Sequence, residues 1–365
     1  MQRINLVAPL LAIDGYGYSA ENLALALKEI GVDVRFYAQD WVIPDFSKKE
    51  LLNITVKKEE LNPNDPIIVY HLPPTLRQYQ NFKFKICFTM WETDKFPAAW
   101  VHDLNNFCDL VLVPSNFCKK VFIKSGVKTP IEVVQLGINL DNYKFISRPD
   151  HRDIFTFLSV GNMDERKNYR TALAAFYEEF TSNEPVRFIV KTRKGSPVNF
   201  LPRKNIEIIE KDYTAEELRD LYNLADCFVY PSRGEGFGLP PREAMATGLP
   251  VILTDYSALS DIADELISYP IKHYGLSKVI YPKSAILGLG DDLGHWANPS
   301  KDEIKKLMRE AYTNRRQAKA KGYMASVWMQ EKADPKVGAK RIKEIIKLVK
   351  YSNKYNGGQN ANSKS

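Results

Sequence analysis

Residues 230–254 have the sequence YPSRGEGFGLPPREAMATGLPVILT. Apolar runs at 227–230 and 249–253 lie at the two ends of this stretch, and we predict that each is a buried strand. Between them we expect a glycine-rich loop, and then a helix that begins at the proline pair 240–241 and ends at Gly248. A glycine loop that leads into a helix is suited to bind a ligand, because glycine lets the backbone approach closely.

The ligand suited to this loop is an anion. The helix dipole places about half a positive charge at the helix N-terminus, where the first N–H groups have no helical partner. The predicted phosphate-binding residues are Gly236, Phe237, Gly238 and Leu239. Glu235 and Glu243 flank the loop, and carboxylates bind hydroxyl groups rather than phosphate. A nucleotide sugar, in which a diphosphate joins two polyhydroxylated rings, matches these features together.

The two glutamates, with GFGLP between them and EAMATGLPV continuing the second, resemble the E-x7-E signature of the retaining family 4 glycosyltransferases. The resemblance extends over nearly the whole chain and is most convincing at 85–138 and 155–257. It implies an α/β architecture of the GT-B type, in which two Rossmann-like domains with parallel sheets face a central cleft. The alternative for the stretch alone is a tight turn whose glycines serve only its geometry.

Composition narrows the class of protein. A chain of 365 residues is long enough for two domains, and 44% hydrophobic with 26% charged residues is ordinary for a globular protein. The net charge of +7 suits anionic ligands or a membrane surface, and no basic block interleaved with aromatics indicates nucleic acid. The four cysteines show no C-x-x-C spacing, which predicts reduced thiols and no metal site. We therefore expect a cytoplasmic protein, with peripheral attachment to a membrane as an open alternative.

The first domain is predicted to span 1–148 and to carry the acceptor side of the cleft. Its opening strands enclose a loop and a helix capped by Ser19, an arrangement that makes the sheet parallel. Gly15 and Gly17 lie in that loop, and the resemblance implies that they face the donor phosphates. A plain strand–helix turn is the alternative. The loop lacks the third glycine of a dinucleotide site, so we expect no nicotinamide cofactor.

Two further candidates in the first domain follow predicted strands. His71 comes after the strand at 66–70, and Glu92 comes after the strand at 83–90. Ligands of parallel sheets bind at the carboxyl ends of the strands, so both side chains are candidate catalytic groups. A lone histidine is more often structural, and that alternative stays open.

The second domain is predicted to span 149–327. Lys167 lies six residues after the glycine that ends the strand at 154–160, and the resemblance implies that this lysine contacts the diphosphate. The family usually has arginine directly after that glycine, whereas this chain has Asn162, and we expect Arg166 to substitute. A solvated surface role is the alternative for Lys167. Tyr213 precedes a capping box, where the family places the nucleobase, and is a candidate for stacking on it.

The remaining segments carry less information. Residues 266–299 are predicted to be irregular. A final amphipathic helix at 328–350 is expected to pack back onto the first domain, as the resemblance implies, and its basic face leaves a membrane surface as the alternative. The tail at 351–365 is rich in Asn, Gly and Ser, which predicts disorder.

Together these inferences predict a retaining glycosyltransferase that moves a hexose from a GDP- or UDP-linked donor to a hydroxyl of a glycan, lipid or small molecule. The predicted catalytic residues are Glu235, Glu92 and His71. The predicted donor-binding residues are Gly15, Gly17, Asn162, Arg166, Lys167, Tyr213, Gly236, Phe237, Gly238, Leu239 and Glu243. The family works without a metal or cofactor, and this chain has no D-x-D triplet. The alternatives are a phosphorylase- or epimerase-like enzyme on the same fold and a catalytically impaired nucleotide-sugar-binding protein.

Overall fold

The computed structural model describes residues 2–9, 15–39, 49–149, 152–195, 200, 203–279 and 292–359, with side chains described up to 348. Within these residues the first domain contains a parallel sheet of six strands in the order β2-β1-β3-β4-β5-β6. The strands are β1 (Gln2–Ala8), β2 (Val32–Ala38), β3 (Ile67–Val69), β4 (Lys85–Phe88), β5 (Leu110–Val113) and β6 (Ile131–Val133). The helices are α1 (Gly15–Glu29), α2 (Lys49–Leu52), α3 (Ala98–Phe107) and α4 (Asn116–Lys124).

The described part of the second domain contains another six-stranded parallel sheet, in the order β12-β11-β10-β7-β8-β9. The strands are β7 (Phe155–Val160), β8 (Val186–Thr192), β9 (Ile206–Glu210), β10 (Cys227–Tyr230), β11 (Val251–Thr254) and β12 (Tyr269–Ile271). The helices are α5 (Tyr169–Glu179), α6 (Ala215–Leu224), α7 (Leu239–Ala246), α8 (Lys301–Thr313) and α9 (Arg315–Lys332). Short 3-10 turns occupy Lys58–Glu60, Pro73–Tyr79 and Ser257–Asp261.

The central strands of both sheets are almost wholly apolar, and this explains why the sheets are parallel and buried on both faces. Strand β5 has the sequence LVLV and β10 the sequence CFVY, and every residue of both strands is buried. One face of the first sheet packs against α1 and the last helix, α10 (Pro335–Gln359), whose apolar residues join that core. These are Ala339, Ile342, Ile345 and Ile346. The apolar face of α10 is therefore packed against the first domain.

Some predicted boundaries are wrong for identifiable reasons. Helix α1 begins at Gly15, so Ser19 is an interior residue whose hydroxyl donates to the Gly15 carbonyl (2.7 Å) instead of capping the helix. The predicted final helix is divided at residues 333–334, where Pro335 supplies the first residue of α10. Helix α10 continues to Gln359, beyond its predicted end, and residues 360–365 of the predicted tail lie outside the described residues.

The segment predicted to be irregular contains an antiparallel hairpin of β13 (His273–Lys278) and β14 (His295–Pro299). Residues 280–291 between these strands lie outside the described residues. The hairpin contacts the first domain, because the Thr93 hydroxyl donates to the Leu293 carbonyl (2.5 Å) and the His295 N–H donates to Asp94 (2.6 Å). Its strands lack the strict alternation of apolar and polar residues from which a hairpin is predicted.

The glycine loop at 231–238 lies against the first domain, and two of its glycines are needed there. A Cβ atom on Gly234 would lie 2.1 Å from the Glu92 carbonyl oxygen, and one on Gly236 would lie 2.7 Å from the Met90 side chain. The Ser115 hydroxyl donates to the Gly236 carbonyl oxygen (3.0 Å). These contacts place the loop at the junction of the two domains.

Helix α9 supports the C-terminal end of α7, the helix that follows the glycine loop, and Gly322 makes this approach possible. A Cβ atom on Gly322 would lie 2.2 Å from the Gly248 carbonyl oxygen. Alanine is favoured over glycine within a helix by up to about 1 kcal/mol, but forcing backbone apart in a packed core costs about 1–3 kcal/mol. We predict that Gly322→Ala lowers the melting temperature by at least about 2 °C. Ala320→Ser, on the exposed face of α9, is the matched control. Equal stability of wild type and Gly322→Ala would contradict this packing.

Candidate functional site

A cleft of about 390 Å³ lies between the two domains. One wall is formed by the start of α1 and the segment after β4, and the other by the segments that follow β7, β8 and β10. Carboxyl ends of parallel strands therefore meet at the cleft, which is the usual place for a ligand in such sheets. Its volume is within the range of small-molecule sites.

Most of the predicted site residues come together here. The predicted residues that line the cleft are Gly15, Glu92, Asn162, Arg166, Lys167, Glu235, Gly236, Phe237, Gly238, Leu239 and Glu243. His71, Gly17 and Tyr213 do not belong to this lining. The His71 ring nitrogen Nδ1 is hydrogen-bonded to the Thr75 hydroxyl (2.8 Å), which is a local structural contact. Gly17 is buried in the first turn of α1, because that helix begins earlier than predicted.

The backbone of the glycine loop is oriented by contacts to its carbonyl oxygens. The Gly236 carbonyl accepts from Ser115, and the carbonyls of Phe237 and Gly238 accept from the Arg242 guanidinium. In a trans peptide the carbonyl and the following N–H point in opposite directions. The N–H groups at 237–239 are thus directed away from these protein contacts. Among the described residues no group accepts from them, so they are available to a ligand in the cleft.

Arg242 is a positioning residue that the sequence motifs did not reveal. Its side chain is 3% exposed, its guanidinium lies 4.1 Å from the Phe237 ring centre, and it also donates to the Ala258 carbonyl (3.2 Å). Burial lowers the pKa of Arg242 to about 10, so the group remains charged at neutral pH. An arginine on the first turn after a proline pair is the sequence signal that could have identified it.

Glu235 is the centre of a buried polar cluster. Its Oε1 atom accepts from Lys167 Nζ (2.6 Å), the Ser232 hydroxyl (2.6 Å) and the Tyr230 hydroxyl (3.0 Å), and it forms an ion pair with Arg166 Nη1 (2.9 Å). Burial by itself would raise the pKa of Glu235, but the charges of Arg166 and Lys167 outweigh burial and hold that pKa at about 2. The carboxyl group is therefore ionised at neutral pH. Its Oε2 atom accepts from none of the described residues.

The two cations of the cluster are fixed by further contacts in the second domain. Lys167 is 9% exposed and its ammonium lies 5.0 Å from the Tyr230 ring centre, while Arg166 donates to the Gly234 carbonyl (2.9 Å). Burial lowers the pKa of Lys167, and the neighbouring Glu235 opposes that shift. The strand before these residues is adjacent to β10, so the segments that follow the two strands meet beside the glycine loop. Asn162 lines the cleft next to them.

Glu92 approaches the cluster from the first domain. Burial raises the pKa of its carboxyl, the charge of Arg166 lowers it, and the charge of Glu235 raises it again, with a net upward shift. The carboxyl groups of Glu92 and Glu235 thus have pKa values displaced in opposite directions. Such opposite displacement is typical of two carboxyl groups that have different roles in one site.

Glu243 lies at the other end of the glycine loop, at 8% exposure. It accepts from the Tyr222 hydroxyl (2.9 Å) and also contacts the Tyr143 hydroxyl. Burial raises its pKa to about 7, despite these hydrogen bonds and the charge of Lys191. The carboxyl is therefore partly protonated near neutral pH and can both donate and accept hydrogen bonds to a hydroxyl pair.

Tyr213 is half-buried beside Lys191 and Lys211, whose ammonium groups lie 5.4 and 5.2 Å from its ring centre. Lys191 lines the cleft, and no sequence motif assigned it a role. The tyrosines at 230 and 222 were also missed, because sequence periodicity places them only in the core.

Within the described residues, no helix is both long and apolar enough to cross a bilayer. No three His, Cys, Asp or Glu side chains gather in a metal-binding group in that same part of the chain.

Comparison with known proteins supports this architecture. Residues 154–270 match the family described as Glycosyl transferases group 1. The serotype-specific mannosyltransferase WbdA of Escherichia coli is 32% identical over 118 residues, which cover 30% of this chain and 14% of WbdA. The O-antigen chain mannosyltransferase RfbU of Salmonella typhimurium is 28% identical over 190 residues, which cover 44% of this chain and 53% of RfbU. The matched segments thus span well under two thirds of either relative.

Solved structures match over nearly the whole chain. Sucrose-phosphate synthase from Thermosynechococcus elongatus superposes with a TM-score of 0.70 at 15% identity, covering 96% of this chain and 100% of that one. Anabaena HepE in complex with UDP-glucose superposes with a TM-score of 0.70 at 12% identity, covering 95% and 100%. At these identities the likeness shows the fold. The chain has the GT-B fold, as the sequence predicted.

The raised pKa of Glu243 has a measurable consequence. The folded protein holds a proton on Glu243 up to a pKa of about 7, whereas the unfolded chain loses it near the ordinary glutamate pKa of 4.5. The native state thus binds more protons between these pH values, and the stability from this group is lost as pH rises through 7. We predict that the free energy of unfolding of Glu243→Gln rises by on the order of 1–3 kcal/mol, relative to that of wild type, as the pH is raised from 5 to 8.

The measurement is thermal unfolding of wild type and Glu243→Gln at both pH values. The exposed Glu216, at the start of α6, provides the matched control Glu216→Gln. The difference in melting temperature between Glu243→Gln and wild type should become more positive at pH 8. A difference that stays constant with pH would show that Glu243 ionises normally in the folded chain.

Proposed function

We propose that this protein is a retaining glycosyltransferase, which moves a hexose from a nucleoside diphosphate sugar to a hydroxyl acceptor. The supporting observation is that two features lie side by side in one cleft. The ionised Glu235 is held by two cations, and directly beside it lie the N–H groups at 237–239 that no described residue satisfies. Donors for an anion and an acceptor for hydroxyls thus lie side by side, as a sugar diphosphate requires.

The similar proteins narrow the choice of sugar donor. Both curated relatives described above carry the name mannosyltransferase, and a structural neighbour binds UDP-glucose. We therefore propose a hexosyl donor linked to GDP or UDP, with mannose as the first sugar to test. The acceptor is a hydroxyl of a glycan, a lipid or a small molecule.

We place the donor diphosphate against the N–H groups of the glycine loop. Lys167 and Arg166 lie close enough to share their remaining N–H donors between Glu235 and the phosphates, and Gly15 at the start of α1 faces them across the cleft. Fixed donors aimed at the oxygen where charge develops are often the largest contribution to catalysis. Glu243, at the far end of the loop, would accept from the ribose hydroxyls.

The sugar would then lie between Glu235 and Glu92. Glu235 Oε2, which accepts from none of the described residues, is suited to bind sugar hydroxyls and hold the anomeric carbon. Its low pKa makes it a weak covalent nucleophile. Glu92, whose pKa is raised, lies on the acceptor side and is suited to orient the attacking hydroxyl. His71, outside the cleft lining, has no part in this proposal.

In the proposed reaction the acceptor oxygen bonds to the anomeric carbon on the face from which the diphosphate leaves. The bond between that carbon and the terminal phosphate oxygen breaks, and its electron pair stays on the phosphate. The departing phosphate oxygen takes the proton of the acceptor hydroxyl, so the products are a glycoside and a nucleoside diphosphate. Attack on the leaving side retains the anomeric configuration.

We further propose a cytoplasmic location, with any attachment to a membrane surface depending on charge. The apolar face of α10 is buried against the first domain, while Lys340, Arg341 and Lys347 on its other face are exposed. An anionic surface could attract these side chains without insertion of the helix.

The first test concerns Glu235. We predict that Glu235→Gln reduces hexosyl transfer at least about 100-fold, because the variant keeps the size of the side chain but loses the charge that binds Lys167 and Arg166. The measurement is product formation from GDP-mannose and UDP-glucose, with NMR to establish the anomeric configuration. Glu165→Gln, which alters an exposed glutamate bound to Arg233, is the matched control. Near-normal turnover by Glu235→Gln would contradict the assignment, and an inverted product would contradict the retaining mechanism.

The second test concerns metal dependence. Because Arg166, Lys167 and the loop N–H groups supply the donors for the leaving diphosphate, we predict that transfer by wild type is unchanged in excess EDTA. The assay is the same product measurement after chelation, with EDTA-treated enzyme restored to Mg²⁺ as the control. A loss of activity that Mg²⁺ restores would show that the protein cations do not suffice.

A further inference from the structure

Lys191 is a buried ammonium that the proposed chemistry does not use. It lies near the end of β8 at the cleft and is 6% exposed. Among the described residues its Nζ atom has no hydrogen-bond acceptor and no carboxylate within ion-pair distance, and it lies 5.4 Å from the centre of the Tyr213 ring. The charges of Asp212 and Glu217 both act on Lys191, but neither carboxylate forms an ion pair with it, and Glu217 is bound to Lys211 instead. Lysine is almost never buried without a partner, so this group is suited to a ligand acceptor.

The position of Lys191 identifies which part of the ligand it meets. A nucleoside diphosphate sugar is linear, with the diphosphate between the sugar and the nucleoside. If the diphosphate lies on the loop at 236–239 and the sugar lies at Glu235, the nucleoside extends past Glu243. Lys191 lies in β8, which is one strand further from the glycine loop than β7, the strand before Arg166 and Lys167. Its ammonium lies 5.4 Å from the ring centre of Tyr213, and its charge acts on Glu243.

This placement, which rests on the proposed function, indicates which nucleobases Lys191 can bind. We propose that Lys191 selects the nucleobase of the donor by donating to the exocyclic carbonyl of uracil or guanine. An ammonium has three donors and no acceptor. It can bind O4 of uracil or O6 of guanine, but it meets an amino group at the same position of cytosine or adenine. That mismatch leaves two donors facing each other in a buried place, which is strongly disfavoured.

The test compares affinities for four nucleotides by calorimetry. Wild type is expected to bind UDP or GDP at least about tenfold more tightly than CDP or ADP, as expected for one charged hydrogen bond. Lys191→Met keeps an unbranched side chain, one atom shorter than lysine, but has no donor. It should lose about tenfold or more for the preferred nucleotide, with little change for CDP or ADP, so that the selectivity falls below about threefold. Lys194→Met removes an exposed lysine three residues further on and should alter none of these values.

Two further arms test the contact to the base directly. In Lys191→Met the affinity for the free nucleoside of the preferred base should fall by the same factor as the affinity for its diphosphate, because the contact is to the base. Lys191→Gln introduces a carbonyl acceptor and should bind ADP or CDP better, relative to UDP or GDP, than Lys191→Met does. It also serves as the second variant if the methionine side chain prevents folding, which circular dichroism and thermal unfolding would show.

Several results would overturn this role. They are a preference of wild type for ADP or CDP, unchanged selectivity in both variants, and a loss confined to diphosphates, which would make Lys191 a phosphate ligand. If wild type transfers a hexose but the variants keep its base selectivity, this inference fails and the proposed function stands. If no nucleotide binds wild type and no donor supports transfer, both fail.

Discussion

Burial of one ionised carboxylate is the constraint on which the site depends. A carboxylate removed from water is tolerated only when it is paired and hydrogen-bonded. Glu235 is paired with Arg166 and Lys167 and accepts from two hydroxyl donors besides. Adjacent strands bring these groups together, because the cations follow β7 and the carboxylate follows β10. The order of the strands in the second sheet thus creates the charged centre of the cleft.

A second constraint orients the backbone next to that centre. Ser115 from the first domain and Arg242 from α7 hold successive carbonyl oxygens of the glycine loop, so the following N–H groups are turned toward the cleft. The close approach of Gly234 and Gly236 to residues 90–92 requires the absence of side chains there. Glycine in this loop therefore serves both the junction of the domains and the access of a ligand to the backbone.

The sequence was sufficient to predict those parts of the site whose residues are close together in the chain. The glycine loop, its flanking glutamates and the following helix were predicted because chain order alone makes them neighbours, and their architecture agrees with the GT-B fold. The sequence was insufficient where partners are distant in the chain. The proline pair before Arg242 marks its place on the first turn of α7, but its carbonyl partners are known only from the structure. Nothing near Lys191 in sequence reveals that it is buried without an acceptor among the described residues. His71 was selected for its place after a strand; its Nδ1 atom is hydrogen-bonded to Thr75, and the residue is not part of the cleft lining.

The three carboxyl groups of the cleft illustrate how burial and partners decide charge. Cations hold Glu235 ionised, while burial raises the pKa of Glu92 and of Glu243. The proposed function requires a diphosphate on the N–H groups between these acids, and a crystal structure of the protein with GDP or UDP bound would locate it. We expect phosphate oxygens within about 3.2 Å of the nitrogen atoms at 237–239. A diphosphate bound elsewhere, with these N–H groups directed into the protein, would be incompatible with the proposed site.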